Sequence, residues 1–540
     1  MTTYNAVGKT AANIVRQGGV GYSHSGIVPA VVSPFVGGYV AAKMPMKAIN
    51  PRTDDETGAY GVDNVAAKHR WAYYDGVNDV RYEEVIKIQG GAAPFHYEII
   101  AGPAGATIGS VLGDASSHGR LKWVPTEHIP TATPVLFIVR VTGRDNNYID
   151  VQWTVATSQS TDQFVFVDPT GGSDANDGTI NTPIKTWGRL MGSTRTTQTF
   201  PYATAYLRAG THYMLPHTDC QLWTQETIPC RCHMSHGYHP HNLVAFPDEL
   251  VTLDFSGSEI YFDTEYDMSD WTIRGSSTQQ LVIRYSSDDA LETHNIWVAA
   301  GDSNRFGFAF VDFDQFIPRV NNGFTNSAPI FLSGSSSENP REYAYAHGVR
   351  ETNRTVHSDN DGLLWVMFGL RYWADEYCSV DTSIQSGAAF KDTCFYTSSR
   401  YMKLFTDAQS FAFSFMGQSS SQWQEICYSA IKGRVVFNLQ VNPATNNLFE
   451  YRNSIYVTDT NYSYGVRAIG GEGPYYSDDS IIVTRGAPQV SSNVTDTGNI
   501  YAVYGDTDMP FDTDTLELQN VAGGTAWRDT YLYEKGHEVI

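Results

Sequence analysis

The sequence contains few of the residues on which several protein classes depend. Only 6 of its 540 residues are cysteine, which is too few for a disulfide scaffold, so we expect free thiols. Charged residues make up only 17%, with 36 Lys and Arg against 58 Asp and Glu. The net charge of −22 argues against a nucleic-acid-binding groove, because phosphate binding needs clustered basic side chains.

Long apolar runs and nucleotide-binding motifs are missing as well. Residues 1–22 lack the basic start and the continuous apolar centre of a secretory signal. The apolar stretch 26–42 is interrupted by two prolines and two glycines, so it is a poor membrane span. There is no Walker loop, no Rossmann glycine pattern and no nucleophile elbow. We therefore expect a protein made in the cytoplasm, or one exported by another route, and not inserted into a membrane.

Aromatic and turn-forming residues are abundant. Aromatics reach 13%, with 33 Tyr, and there are 47 Gly. This balance favours β structure over helices, which would be richer in Ala, Leu, Glu and Lys. A chain of this length exceeds one compact core, so we expect several domains or one elongated repetitive domain.

The first 80 residues show no sustained period of either 2 or 3.6. They begin with small and turn residues and end in an aromatic group at Trp71, Tyr73 and Tyr74. We predict an irregular N-terminal arm over 1–80 that becomes ordered against a partner. A flexible terminus with a few aromatic residues is the alternative.

Residues 81–158 contain short alternating strands separated by turn signals, which predicts a small β-sandwich. The segments at 90–108 (GG.APF.Y.I..GPAGATI), 121–126 (L.WVPT) and 137–142 (F.VRVT) resemble the immunoglobulin-like modules of adhesins and virus tail proteins. The resemblance implies a spacer or attachment unit and no catalysis.

The segment 164–213 organises the remainder of the chain. An apolar β run, Phe164–Val167, passes into a loop where Asp and Asn alternate with Gly, which predicts a tight, self-capped turn. A short amphipathic run at 187–191, a strand at 203–207 and a glycine turn follow. This order resembles the opening of right-handed parallel β-helix proteins of the pectate-lyase-like type, whose first turn is covered by such a loop and helix.

Later residues continue as β runs separated by 10–25 residues, which fits the turns of a solenoid. We predict an all-β fold with a right-handed parallel β-helix over 159–508, with roughly 16 turns of about 23 residues. A C-terminal cap or trimer contact is expected over 509–540, because an open solenoid end would pair with other edges. A jelly roll or second sandwich from Ser454 onward is the alternative.

Metal-binding residue types are concentrated between His212 and His241. Thiolate and imidazole ligands together suit zinc. His239-Pro240-His241 resembles the His-x-His of trimeric phage spikes, which implies iron, and a polar loop with free thiols is the alternative. Calcium is a further possibility at the oxygen-rich loop formed by Asp168, Asp174, Asn176 and Asp177. The predicted zinc or iron ligands are His217, Cys220, Cys230, Cys232, His239 and His241.

Carboxylates near aromatic residues supply the candidate catalytic set. In 369–377, Arg371, Asp375 and Glu376 lie among aromatics and could perform acid/base chemistry on a polysaccharide. The predicted sugar platforms are Trp365, Tyr372, Trp373 and Tyr377. Rows of aspartates and aromatics are equally typical of the surface and core of a solenoid. Further candidate carboxylates are Asp312 and Asp314, expected on one face of a strand, with Glu351, Asp359 and Asp361.

The order of an arm, an immunoglobulin-like module and a capped β-helix resembles bacteriophage tail spikes and tail fibres. That resemblance implies a virion protein that contacts other virion proteins through its arm, binds host surface polysaccharide with its β-helix and forms a homotrimer. A polysaccharide depolymerase, either hydrolase or lyase, is the alternative. A bacterial surface adhesin is a third hypothesis, disfavoured by the missing export signal.

Overall fold

The computed structural model describes residues 44–51, 70–111 and 114–191 without a break, and beyond them the strands below with short adjoining turns as far as 503. Two short strands, β1 (Tyr4–Asn5) and β2 (Ile27–Val28), pair antiparallel. The all-β prediction is confirmed, since the described part has one short helix. None of the described helical residues forms a segment long and apolar enough to cross a bilayer.

The N-terminal module is a β-sandwich. Its four-stranded sheet has the order β4-β11-β10-β7, its three-stranded sheet has the order β5-β9-β8, and β3 pairs with β6. The inner faces share one core, in which Phe137 stacks on Trp153 at 5.1 Å between ring centroids. The strands are β3 (Lys47–Asn50), β4 (Arg70–Tyr73), β5 (Tyr82–Val85), β6 (Lys87–Gln89), β7 (Phe95–Ala101), β8 (Thr107–Ile108), β9 (Arg120–Trp123), β10 (Val135–Gly143) and β11 (Tyr148–Ser158).

Two of these strands precede residue 81, where the predicted arm ends. β4 pairs in parallel with the end of β11, and β3 pairs antiparallel with β6. Their side chains Ile49, Ala72 and Tyr73 are buried. The folded module therefore includes parts of residues 44–80.

The remaining strands form three parallel sheets. From β13 onward, each strand pairs in parallel with the strand three places later, so the chain visits the first, second and third sheet in rotation. This is the connectivity of a parallel β-helix; its right-handed sense stays a prediction.

The elements, in chain order, are β12 (Phe164–Val167), α1 (Trp187–Met191), β13 (Thr204–Leu207), β14 (Gly210–Tyr213), β15 (Cys232–His233), β16 (Asn242–Ala245), β17 (Val251–Asp254), β18 (Phe262–Asp263), β19 (Trp271–Arg274), β20 (Leu281–Arg284), β21 (Trp297–Ala299), β22 (Phe306–Ala309), β23 (Val311–Asp314), β24 (Ile330–Ser333), β25 (Arg341–His347), β26 (Arg350–Thr352), β27 (Trp365–Phe368), β28 (Leu370–Glu376), β29 (Ser379–Asp381), β30 (Ala389–Asp392), β31 (Phe395–Arg400), β32 (Lys403–Phe405), β33 (Phe411–Gly417), β34 (Gln422–Cys427), β35 (Ala430–Lys432), β36 (Arg434–Leu439), β37 (Phe449–Arg452), β38 (Ile455–Thr458), β39 (Tyr464–Ile469), β40 (Tyr475–Asp478), β41 (Ile481–Thr484), β42 (Gln489–Val490), β43 (Val494–Thr497) and β44 (Ile500–Val503).

The predicted number of turns was too high for the described part of the chain. The first sheet has 12 strands, and its first and last strands begin at Phe164 and Val494, which gives about 30 residues per turn rather than 23. The alternative of a second sandwich from Ser454 is wrong, because β38, β41 and β44 continue the parallel second sheet.

The loop after β12 covers the first edge of the stack, as predicted. Ile184 forms a parallel bridge with Val167. Asp168 N donates to Ile184 O, and Ile184 N donates to Phe166 O. Asp174 Oδ1 accepts from Lys185 N and Thr186 N at 3.0 and 2.8 Å. These bonds satisfy amides at the start of α1 and pair the exposed edge of β12.

Left-handed corners mark the ends of successive strands in the first sheet. Phe310, Gly348, Tyr377 and Tyr401 follow β22, β25, β28 and β31, with φ between 54° and 61°. A residue with φ in this range redirects the chain sharply. The side chains of the three aromatic members are buried, so packing holds a conformation that non-glycine residues rarely adopt.

Candidate functional site

The predicted catalytic segment lies where the N-terminal module packs on the first parallel sheet. Ala374 of β28 shares an apolar cluster with Ile49 and Val85 of the module. Tyr377, at the following corner, belongs to the core of the sandwich itself. Because strand side chains alternate, Ala374 and Glu376 face the module, whereas Trp373 and Asp375 point to the opposite face.

Glu376 is the centre of a buried ion-pair network. Its Oε2 contacts Lys87 Nζ of the module, and its Oε1 lies 3.4 Å from Arg400 Nη1. The side chains of Lys87 and Glu376 are 0% and 1% exposed. Burial alone would raise the pKa of Glu376, but Lys87 and Arg400 lower it below its usual value. Glu376 is therefore ionised at neutral pH.

Arg400 joins the two parts of the molecule directly. Its Nη1 donates to Ile88 O at 2.8 Å, and its Nη2 donates to Gly90 O at 2.6 Å and to Glu425 Oε1. Ser398 Oγ accepts from Gly90 N at 3.0 Å. One fully buried guanidinium thus holds the edge of the module by its backbone and balances two carboxylates.

A second charged group lies beside the first. Glu83 accepts from Arg120 and Arg81, and Arg274 of β19 donates to Glu83 O. Burial would raise the pKa of Glu83, but Arg120, Arg274 and Arg81 lower it. Arg81 also makes a bidentate pair with Asp248, with both distances 2.8 Å. This group therefore attaches an earlier part of the stack to the module.

Two buried histidines lie where the module packs on the first sheet, a contact region that we call the junction. His347 donates from Nε2 to Ala115 O of the module at 2.8 Å, and His118 donates from Nε2 to Phe95 O at 3.1 Å. The Nδ1 atoms of both rings are buried without a hydrogen-bond partner. Burial lowers the pKa of His118 to about 4 and that of His347 well below its usual value. Both imidazoles are therefore neutral at pH 7.

The predicted sugar platforms are largely occupied by other groups. Tyr372 stacks between Tyr343 and Tyr396 at 4.9 and 5.3 Å, and Lys47 Nζ lies 3.6 Å from its ring centroid. Tyr377 stacks on Tyr401 at 4.7 Å. Trp373 and Tyr377 are buried, and for Trp365 and Arg371 only the backbone position in β27 and β28 is described.

The catalytic hypothesis for Arg371, Asp375 and Glu376 stays a prediction, and it requires that substrate can reach two buried carboxylates. Asp375 is buried and accepts from Ser399 Oγ at 2.6 Å, while Glu376 is enclosed by Lys87 and Arg400. A polymer can reach Glu376 only if the module separates from the first sheet, whereas Asp375 is buried on the opposite face of that sheet.

The other carboxylates also lie in structural contacts. Asp312 and Asp314 share one face of β23, as predicted, and pair with Arg350 and Arg284 of neighbouring turns at 3.0 Å each. Glu351 is buried. Asp359 and Asp361 lie outside the described residues.

The predicted metal ligands fall mostly outside the described residues. This applies to His217, Cys220, Cys230, His239 and His241, and only the backbone of Cys232 is described, in β15. Among the described residues, no group of three or more His, Cys, Asp or Glu is placed to hold a metal ion. In the candidate calcium loop, Asp168 and Asp174 accept backbone amides and Asn176 donates to Pro183 O, which is turn chemistry. Two of the cysteines, Cys378 and Cys427, are buried free thiols.

The sequence interpretation missed the partners that make this junction. Lys87, Arg400, Glu425, His118 and His347 were not singled out, although a lysine inside the apolar run Val85-Ile86-Lys87-Ile88 is a signal of a buried pair. The run does not reveal its partner, because Glu376 is 289 residues away.

No protein-family model matches the chain, and comparison with curated proteins gives no match. Among solved structures, it is similar to the native GH136 lacto-N-biosidase from Eubacterium ramulus (12% identity, TM-score 0.30, 63% of this chain and 68% of that one). The chain is also similar to a rhamnogalacturonan lyase (13% identity, TM-score 0.27, 69% of this chain and 94% of that one). A third similar structure is the catalytic domain of a GH87 alpha-1,3-glucanase in complex with nigerose (12% identity, TM-score 0.23, 82% of this chain and 86% of that one). Likenesses with TM-scores this low carry no argument about this chain.

Proposed function

We propose that this protein is a structural virion protein of a bacteriophage, of the tail fibre, tail spike or decoration type. Its N-terminal part attaches to other virion proteins, and its parallel sheets bind glycans of the host surface. The supporting observation is the junction, where Tyr377, Tyr401 and Cys427 lie in the core of the module and Ala374 of β28 belongs to a second apolar cluster with module residues. Such a junction transmits an attachment at one end to a rigid binding surface at the other.

The same junction favours binding over cleavage. The carboxylates best suited by sequence to acid/base chemistry, Asp375 and Glu376, are consumed in buried contacts. A hydrolase would need an accessible pair of carboxylates flanking the scissile bond. The outward side of β23 instead carries two largely covered aspartates that pair with the more exposed Arg350 and Arg284 of neighbouring turns, and these guanidinium groups can donate hydrogen bonds to hydroxyl-rich ligands.

The location and assembly follow from the same proposal. The protein is made in the host cytoplasm and becomes part of the virion as a homotrimer. A size measurement on the purified protein tests the assembly: three chains support it, and a monomer at micromolar concentration contradicts it.

The attachment is tested by a truncation whose end point the structure sets. Removing residues 1–80 would delete β3 and β4 and damage the module, so the deletion should end at residue 43. We expect the truncated protein to keep its unfolding transition and to be absent from phage particles. Incorporation equal to that of the full chain would contradict attachment through these residues.

The glycan-binding function is tested with the full-length protein and purified capsular or O-antigen polysaccharide. Saturable binding without new reducing ends or unsaturated products is the expected result. Cleavage products would show the depolymerase instead, and an Asp375→Asn variant would then report whether that residue takes part. Absence of binding to polysaccharides of all susceptible hosts would overturn the proposal.

A further inference from the structure

The Lys87–Glu376 contact combines a buried amine with a buried carboxyl group across the junction. Nζ touches Oε2, and neither side chain is open to solvent. His118, which lies next to the pair, packs edge-on against Tyr97 and Tyr377 at 4.9 and 5.6 Å. An enclosed ion pair of this kind costs desolvation free energy for each charge. A reaction that removes both charges removes that cost.

We propose that Lys87 and Glu376 condense to an amide bond, which joins the N-terminal module covalently to the first parallel sheet. The reaction is the loss of one water from an ammonium and a carboxylate. It needs no oxidant, reductant or activated ester.

The neighbouring groups are placed for each stage of this condensation. Lys87 first passes a proton to Glu376 Oε2, which leaves a neutral amine and a carboxylic acid. The amine nitrogen then bonds to Cδ, and negative charge develops on Oε1, which Arg400 Nη1 faces at 3.4 Å. A preformed cation at a developing oxyanion is an effective source of transition-state stabilisation.

His347 completes the proton transfers. Its Nδ1 has no hydrogen-bond partner and lies 4.0 Å from Oε2. It accepts a proton from the attacking nitrogen and returns it to Oε2, which leaves as water when the C–O bond breaks and the carbonyl reforms. Nε2 stays bonded to Ala115 O throughout, which fixes the ring. The imidazole is regenerated, so the step is balanced.

Position and environment favour the reaction in this site over the same reaction in water. Two groups held in contact react with effective molarities of about 10⁵ M or more, because their encounter costs no further entropy. Burial lowers the pKa of Lys87, which increases the share of neutral amine. The low pKa of Glu376 acts in the opposite direction, so the proton must come from Lys87 within the pair.

Mass spectrometry of the denatured full-length protein tests the proposal. After incubation at neutral pH, we expect a mass about 18 Da below that of the sequence, with Lys87→Arg at its full sequence mass as the control. Trypsin should release a branched peptide that links residues 82–120 to residues 372–391. A wild-type protein at full mass after prolonged incubation, or a water loss mapped to other residues, would overturn the proposal. The intact mass and the peptide map of the wild-type protein decide the matter whether or not the Lys87→Arg variant folds.

Discussion

Replacing Arg400 should loosen the junction more than replacing any exposed arginine. Arg400→Met removes two donors to the module backbone, Ile88 O and Gly90 O, and leaves the buried carboxylate of Glu425 without its guanidinium partner. Removing one member of a buried ion pair typically costs about 3 to 5 kcal/mol, because the remaining charge stays buried without compensation. We expect a loss of this size in the free energy that holds the module on the first sheet.

The matched control is Arg140→Met. Arg140 makes a bidentate pair with Asp150, with both distances 2.8 Å, but on the exposed face of the module, where solvent weakens the attraction. Urea unfolding followed by limited proteolysis would compare the two variants. If Arg400→Met does not fold, Arg400→Lys keeps the charge, loses the planar fork and should show a smaller loss of the same kind. Equal resistance of the Arg400 and Arg140 variants would refute the reasoning.

Three further predictions address other parts of the structure. Below pH 6.5 the protein should lose stability as pH falls, because His118 and His347 have folded pKa values below their unfolded value, so the unfolded state binds more protons. The lowering of the pKa of His118 from 6.5 to about 4 alone accounts for about 3 kcal/mol of the free energy of unfolding. A melting temperature unchanged between pH 7 and 4 would contradict this prediction. Gly307→Ala should lower the free energy of unfolding by about 1 to 3 kcal/mol, because the added Cβ would lie 2.1 Å from the ring of Tyr345. Gly105→Ala is the packing control for calorimetry, because its Cβ would meet no atom within 4 Å, although its positive φ adds some backbone strain. Metal analysis of the purified protein should find zinc or iron if the 212–241 cluster binds it, and less than about a tenth of an equivalent would dismiss that prediction.

The sequence predicted much of the local structure because local patterns determine it. Phe164–Val167 is a strand with the predicted bounds, and the amphipathic run at 187–191 is a helix. Corners between strands are harder to locate: residues 306–314 form two strands, β22 and β23, because Phe310 turns the chain with φ of 54°. An aromatic residue gives no sign that its backbone is left-handed, since tertiary packing holds it there.

The site could not be assigned from sequence for a different reason. Acidic and aromatic side chains grouped in 369–377 are equally typical of a catalytic site and of the packed core of a solenoid. The location of the group depends on which face of β28 meets the module, and that depends on contacts with β6 nearly 300 residues earlier. Such contacts leave no periodic pattern in either segment.

Hydrogen exchange of the full-length protein at neutral pH tests the sealed junction most directly. Amides in 87–90 and in 395–400 should exchange slowly, and both segments should lose protection together in Arg400→Met. Exchange of either segment within seconds in the wild-type protein would contradict the burial of Glu376 between the module and the first sheet, because it would show that solvent reaches this carboxylate.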